Sequence, residues 1–102
     1  DGLCMRELDI ERIALIGRAV SDPNRIVILL KLENGDMTTQ EIMDSMDINQ
    51  SNLSYHMSKL LKADLVSCRR IDGRHIYGLT DSGSRMIGQF KACCRRAPSN
   101  DC

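Results

Sequence analysis

Residues 49–74 constrain the fold of this chain more than any other stretch of its sequence. Between Asn49 and Leu61 the apolar residues recur at intervals of three or four, a spacing that predicts an amphipathic helix. Its apolar stripe comprises Leu53, Met57, Leu60 and Leu61. Two strand-like runs follow, at residues 65–70 and 74–79, and the Asp72-Gly73 pair between them is a strong signal for a tight hairpin turn. A helix followed at once by a hairpin leaves few possible small folds.

A shorter helix is predicted directly before this one. Thr38 and Glu41 have the spacing of a capping box, so the helix is expected to begin there and to continue through Met46. Asp47 and Ile48 then form a turn, and Asn49 is a suitable N-cap for the longer helix. A short helix, a tight turn and a polar-faced helix make a helix-turn-helix, at about residues 38–62. The basic hairpin, at about residues 65–79, then has the position of a wing.

The outer face of the longer helix carries hydrogen-bonding groups and a single formal charge. Its residues are Gln50, Ser51, Ser54, Tyr55 and Lys59. Such a face suits contacts with base edges and phosphates in a DNA groove, although an ordinary solvated helix face is the alternative. His56 lies nearer the apolar edge, and we interpret it as a packed or phosphate-bonded histidine rather than a base reader.

The predicted wing carries a second set of candidate DNA contacts. Arg70, Arg74 and His75 are expected to hold the DNA backbone or to reach the minor groove. Arg69 points to the opposite side if the strand alternates, and is a weaker candidate. The net charge of the chain is zero, but residues 50–80 hold five Lys or Arg against two Asp, a net of +3. Positive charge therefore collects on the part of the chain predicted to meet nucleic acid.

The remaining sequence predicts a single, mainly helical domain over residues 1–102. A first helix is expected at Arg6–Val20. A second begins near Pro23 and has apolar residues on nearly all sides, which predicts a central, buried helix. A last helix is expected at about residues 81–97. Its apolar stripe comprises Met86, Ile87, Phe90, Cys94 and Ala97. A domain this small buries a modest core, so the apolar faces of the first and last helices indicate oligomerisation.

Four segments, taken in order, resemble the ArsR/SmtB family of winged-helix repressors. They are residues 21–26 (SDPNRI), 50–61, 63–66 (ADLV) and 72–79 (DGRHIYGL). The resemblance spans roughly residues 10–95, and the chain departs from it where the family often has Gly, at Asp47 and Asp64. It implies a winged helix-turn-helix of five helices and a two-stranded wing. It also implies a homodimer formed by the first and last helices, which binds double-stranded operator DNA with its recognition helices about one turn apart.

Cysteines near the carboxyl end indicate what such a protein would sense. Cys93 and Cys94 close the last predicted helix, and Cys102 follows eight residues after Cys94. Three thiolates without His or carboxylate partners favour soft, thiophilic ions. As(III) or Sb(III) fits this set well, because three pyramidal thiolates complete its coordination shell. The family includes arsenite sensors with cysteines in the last helix, so the resemblance supports these three residues as ligands.

Several other interpretations of the cysteines stay open. Cd(II) or Pb(II) could be bound with Cys4 donated by the partner subunit, or the thiols could act as a redox sensor. Cys68 and Cys94 could instead be small core residues, and this is the preferred interpretation for Cys68. Family zinc sensors use Asp-x-His in the last helix. Here Asp81 is followed by Gly83 in the His position, so zinc at that site is disfavoured.

Other function classes find little support in the sequence. There is no phosphate-binding loop, no Ser-His-Asp order and no Cys-x-x-Cys near a βαβ unit, so an enzyme is not expected. A winged helix used for protein interaction is the remaining alternative, because fold does not fix function. No transmembrane run and no signal-peptide pattern is present, so a cytoplasmic location without membrane contact is expected.

Overall fold

Side-chain capping determines where each helix of this protein begins. The computed structural model describes residues 9–95, which form five helices and three strands. The helices are α1 (Ile10–Ala19), α2 (Pro23–Leu32), α3 (Thr39–Met46), α4 (Gln50–Lys62) and α5 (Asp81–Cys94). At the start of each helix a side-chain oxygen accepts a hydrogen bond from a backbone N–H of the first turn. The capping residues are Asp9, Asp22, Thr38, Asn49 and Thr80.

The helix-turn-helix predicted from the sequence is confirmed by the structure. Thr38 and Glu41 form the reciprocal capping box, with hydrogen bonds of 3.1 Å and 2.9 Å. Asp47 ends α3 in the left-handed conformation, and Asn49 accepts a hydrogen bond from the Asn52 N–H at 2.8 Å to begin α4. The turn therefore consists of residues 47–49, as expected.

The wing differs from the prediction in having a third strand. Strand β2 (Val66–Ile71) pairs with β3 (Arg74–Leu79) around Asp72-Gly73, whose positive φ angles of 53° and 77° are those a type I′ hairpin needs. Strand β1 (Met37–Thr38) pairs antiparallel with β3 on its other side, so the order is β1-β3-β2. Because β1 leads directly into α3, backbone hydrogen bonds tie the wing to the helix-turn-helix.

A single apolar core holds the helices and the base of the wing together. Its largest fully buried side chains are Ile28, Leu29, Ile42, Leu53, Met57, Leu60, Leu65, Val66 and Ile87. Two expectations about burial were wrong. Leu61 is 40% exposed rather than part of the α4 stripe, and α2 is not buried on all sides because Val27 and Leu30 face outward. In α1, Ile10 and Ile13 are also exposed.

The outer helices also differ from the predicted boundaries. Helix α5 ends at Cys94, and Arg95 has an extended backbone with ψ of 121°, so the expected continuation to residue 97 stops earlier. The expected start of α1 at Arg6 lies outside the described residues, as does Ala97. Within residues 9–95, no helix is both long and apolar enough to cross a membrane.

Backbone strain at Asp47 gives a first prediction. Asp47 has φ of 57°, a conformation that Gly adopts without steric cost, so Asp47→Gly is expected to raise the free energy of unfolding by about 0.5–1 kcal/mol. Asp44→Gly, inside α3, is the matched control and is expected to lower the free energy of unfolding by about 0.5 kcal/mol, because Gly has a lower helix propensity and the hydrogen bond from Gln40 is lost. Urea unfolding followed by circular dichroism measures both. A less stable Asp47→Gly variant would contradict the assignment of strain to this position.

Candidate nucleic-acid interface

Helix α4 has one buried face and one exposed polar face. Leu53, His56, Met57 and Leu60 are buried against the core. The residues predicted to contact DNA lie on the other side: Gln50, Ser51, Ser54 and Tyr55 are exposed, and Lys59 is half-buried. Tyr55 presents 57% of its surface to solvent. The structure therefore leaves the whole predicted contact face of α4 accessible.

Residues of α4 and of the wing line two cavities that lie between these elements. A cavity of about 620 Å³ lies between the amino ends of α3 and α4 and the tip of the wing, lined by Gln50, Arg74 and His75 among others. A second cavity of about 250 Å³ runs on between α4 and the wing, and Gln50, Ser54 and His75 line it. These predicted site residues, far apart in sequence, are thus brought to one surface.

The other predicted contacts lie at the margins of this surface. Arg70 is exposed on β2, directly opposite His75 in the strand register, and lines neither cavity. Ser51 is exposed on α4 and also lines neither. Tyr55 and Lys59 face away from the wing and line a different cavity, between α4 and the end of α1.

Arg69 has a structural role on the opposite face of the wing, as strand alternation predicted. Its guanidinium Nη1 lies 2.7 Å from the Asp36 Oδ2 atom. The Asp36 carboxylate also packs against Gly78 on β3, where a Cβ would collide with it. Asp36 therefore anchors the edge of the wing to the loop after α2, a contact that no local sequence signal revealed.

Arg25 is a second residue whose role the sequence reasoning missed. Although charged, it is only 7% exposed, and its guanidinium donates to the Ala19 carbonyl at 2.8 Å and the Arg18 carbonyl at 3.1 Å. A third contact joins Arg25 Nη1 to His56 Nδ1 at 3.1 Å. One side chain of α2 thus caps the last turn of α1 and holds the recognition helix. The signal available was an Arg set within an otherwise apolar helix.

The contact with Arg25 also fixes the role of His56. A guanidinium can only donate hydrogen bonds, so His56 Nδ1 must accept and the ring proton resides on Nε2. His56 is 8% exposed, which confirms it as a packed histidine rather than a base reader. Its ring meets the Tyr55 ring edge-on at 5.7 Å, and the Arg25 guanidinium lies 5.9 Å from the Tyr55 centroid. The packed interior therefore helps to orient Tyr55 on the exposed face.

Tyr77 is the residue of the wing whose ionisation the fold changes most clearly. Burial raises the pKa of its hydroxyl above the ordinary value of 10.0, and the neighbouring Cys68 thiol raises it further, while the Thr39 side chain acts in the opposite direction. Because the pKa in the folded state is the higher one, this group stabilises the fold fully below pH 10 and progressively less above it. Tyr77 is therefore neutral at physiological pH.

The structure describes three of the five cysteines, and it corrects two expectations. Cys68 was expected in the core, but every residue of β2 after Val66 is exposed, Cys68 among them. Cys94 was expected on the apolar stripe of α5, but it is exposed too, beside Cys93 in the last turn. Cys4 and Cys102 lie outside the described residues. Within residues 9–95 no three His, Cys, Asp or Glu side chains are grouped as a metal site.

The position that zinc sensors of the family use is closed by the backbone. Gly83 is buried, and a Cβ at this position would collide with the Leu65 carbonyl oxygen. The same backbone segment is held in place by Thr80, whose hydroxyl donates to the Asp64 carbonyl at 2.6 Å. A ligand side chain at residue 83 therefore has no room next to Asp81 in this fold.

The fold and the exposed face of α4 define a winged helix-turn-helix protein of the DNA-binding class. Comparison with known proteins then gives the family: the profile of the bacterial ArsR regulatory protein family matches residues 22–67. An uncharacterized helix-turn-helix transcriptional regulator of Methanocaldococcus jannaschii is 36% identical over 78 residues, which are 76% of this chain and 88% of the relative. The chain belongs to the ArsR family, and so to a class of transcriptional regulators rather than enzymes.

Two further similarities concern function and fold. The arsenical resistance operon repressor of Staphylococcus xylosus is 29% identical over 79 residues, 78% of this chain and 76% of the relative. The homodimeric winged helix-turn-helix DNA-binding domain of a possible ArsR-family regulator from Mycobacterium bovis superposes with a TM-score of 0.82. It is 22% identical, and the match covers 92% of this chain and 89% of that structure. At that identity the second similarity concerns the fold.

The buried guanidinium gives the second prediction. Arg25→Ala would leave two carbonyls and an imidazole nitrogen without a donor, so the free energy of unfolding is expected to fall by about 2–4 kcal/mol. Arg85→Ala, at an exposed position of α5, removes the same charge and is expected to change it by less than about 0.5 kcal/mol. Urea unfolding compares the two variants. Equal stabilities would contradict the anchoring role of Arg25.

Proposed function

We propose that this protein is a transcriptional repressor that binds operator DNA as a homodimer and is released by As(III) or Sb(III). The observation that carries the DNA-binding part is the joint surface of α4 and the wing, where Gln50 and His75 line the same two cavities. An α-helix with an exposed polar face fits the major groove, and a basic hairpin beside it can hold the flanking backbone. A regulator acting on operator DNA would work in the cytoplasm.

A homodimer is supported by the exposed apolar residues of α1. Ile10 and Ile13 are 60% and 52% exposed. Contact with a second subunit would remove this neighbouring pair of apolar side chains from water. The Mycobacterium bovis domain with the same fold is homodimeric. A two-fold dimer would present two α4 helices to one face of the duplex, and its operator would be an imperfect palindrome.

The inducer site we propose consists of Cys93, Cys94 and Cys102. Cys93 and Cys94 are exposed in the last turn of α5, and the helix ends at once because Arg95 is extended. Cys102 is eight positions after Cys94, and a chain of eight residue steps can span up to about 26–29 Å, so the third thiolate can reach the pair. The Staphylococcus xylosus relative is an arsenical resistance operon repressor, which favours this inducer over Cd(II), Pb(II) and thiol oxidation.

Release would follow from coupling between the two sites. Binding of the ion would tie the end of α5 to the residues after it and change the packing of α5 in the dimer interface. The distance between the two recognition helices would then match the operator spacing less well. Lys91 on α5 contacts Glu33 at the end of α2 at 2.8 Å, a surface ion pair between the two helices. A coupling free energy of about 1–3 kcal/mol, typical of allostery, would lower operator affinity about 5-fold to 150-fold.

Base reading by α4 gives the third prediction. Gln50→Ala is expected to weaken binding to an operator selected from random duplexes by about 1–3 kcal/mol, with little effect on unrelated DNA, because a base-edge hydrogen bond is lost. Asn34→Ala, at an exposed position of the loop after α2, removes a side-chain amide from outside α4 and is expected to leave both affinities unchanged. Fluorescence anisotropy at fixed salt measures both. An equal loss of affinity for the operator and for unrelated DNA would contradict base reading by Gln50 and would indicate a contact with the DNA backbone.

Inducer sensing gives the fourth prediction. The variants Cys93→Ser, Cys94→Ser and Cys102→Ser are each expected to keep the operator affinity of the wild type. Each is also expected to abolish release by arsenite, because the trithiolate site loses one ligand. Cys68→Ser, at an exposed position of the wing, is the control and is expected to release normally. Anisotropy titrations with arsenite, antimonite, cadmium, zinc and peroxide compare the inducers. Release of the Cys93→Ser variant by arsenite would eliminate the proposed site.

A further inference from the structure

A basic cavity lies on the side of α4 that faces away from the wing. It has a volume of about 360 Å³ and is formed where the end of α1 and the start of α2 meet the outer edge of α4. Its polar lining comprises Arg18, Ser21, Arg25, Tyr55, Lys59 and Lys62. Four cations and no carboxylate line it within the described chain, so its electrostatic potential is positive.

The floor of this cavity is prepared for an anion. The carbonyls at the end of α1 would repel negative charge, but the Arg25 guanidinium covers two of them, those of Arg18 and Ala19. Arg25 also positions Tyr55 through its contact with the ring, and the Lys59 ammonium lies 5.2 Å from the same ring centroid. The side chains of Arg18 and Lys62 are exposed at the rim, and no ion pair involves either one within residues 9–95.

The position of the cavity identifies its anion. Tyr55, Lys59 and Lys62 follow one another at i, i+4 and i+7, so they form one line along α4. The opposite line of α4, through Gln50 and Ser54, faces the wing. A helix lying in the major groove has a phosphate backbone on each side of it, and the wing reaches only one of them.

We propose that this cavity binds a backbone phosphate of duplex DNA, on the strand opposite the one held by the wing. Arg18 and Lys62 would supply the charge at the rim, and Lys59 would complete the cradle beside Tyr55. The proposal rests on the DNA-binding function above and adds a second backbone contact to it. Each recognition helix would then be held from both sides of the groove.

The salt dependence of DNA binding tests this cavity directly. Each phosphate contact releases counterions, so Arg18→Gln and Lys62→Gln are each expected to reduce the slope of log K against log salt by about 0.9 per subunit, or about 1.8 for the dimer. Because such contacts carry no base information, affinity should fall several-fold on operator and unrelated duplex alike. Lys62→Arg is expected to keep the wild-type slope. Lys31→Gln, which removes one charge from the last turn of α2 and lines none of the cavities beside α4, is expected to leave the slope unchanged.

The possible outcomes separate this inference from the proposed function. Slopes equal to that of the wild type in both Arg18→Gln and Lys62→Gln, while the wild type still binds its operator, would overturn the cavity assignment alone. Failure of the wild-type dimer to bind any duplex would overturn the proposed function as well. Inorganic phosphate is the other source of the same anion. Saturable stabilisation of the wild type by phosphate at matched ionic strength, lost in Arg18→Gln while the salt slopes of both variants equal that of the wild type, would assign the cavity to a free anion instead.

Discussion

The guanidinium of Arg25 is the interaction on which the geometry of the DNA-facing surface depends. It joins the end of α1, the start of α2 and the buried side of α4 through three hydrogen bonds. A planar guanidinium donates its hydrogen bonds in fixed directions, whereas apolar contacts have no preferred direction. One Arg side chain can therefore fix the relative orientation of three helices. Helix α4 is therefore positioned by a polar contact within an apolar core, and this contact also determines where the exposed face of α4 lies.

Two further polar contacts transmit this positioning to the wing and to the last helix. Asp36 binds Arg69 and packs on Gly78, which sets the base of the wing relative to α2. Thr80 caps α5 while its hydroxyl donates to the Asp64 carbonyl, which joins the start of α5 to the end of α4. These contacts leave the wing and α4 on one surface and the cysteine pair at the far end of α5. The start of α5 is thus tied to the end of α4, and the cysteine pair lies at the other end of the same helix.

Much of the fold was predictable because its signals are local. Capping by Thr38 and Asn49 and the Asp72-Gly73 turn each depend on a few neighbouring residues, and each was confirmed. The exposure of Cys68 was not predictable, because it depends on the wing leaving the core directly after Val66, so that both faces of β2 are exposed. Strand β1 was missed for a similar reason, since two residues carry no periodic pattern and form a strand only by pairing with β3.

In the candidate site, too, the features set by neighbouring residues were predictable from sequence, and those set by contacts between helices were not. The exposed face of α4 follows from helical periodicity, so its contact residues could be named from sequence. The role of Arg25 and the basic cavity depend on how α1 and α2 meet α4, which the sequence does not encode locally. The inducer residues were named from residue chemistry and resemblance, and the trithiolate stays a prediction, with Cys102 outside the described residues.

In the proposed function, the polar face of α4 enters the major groove of an operator. Methylation interference measures this most directly, because methylation at guanine N7 alters only the floor of that groove. A duplex selected by the wild-type protein is predicted to lose binding when guanines are methylated in two half-sites about one helical turn apart. Binding that is indifferent to N7 methylation at every guanine of the selected duplex would contradict the claim.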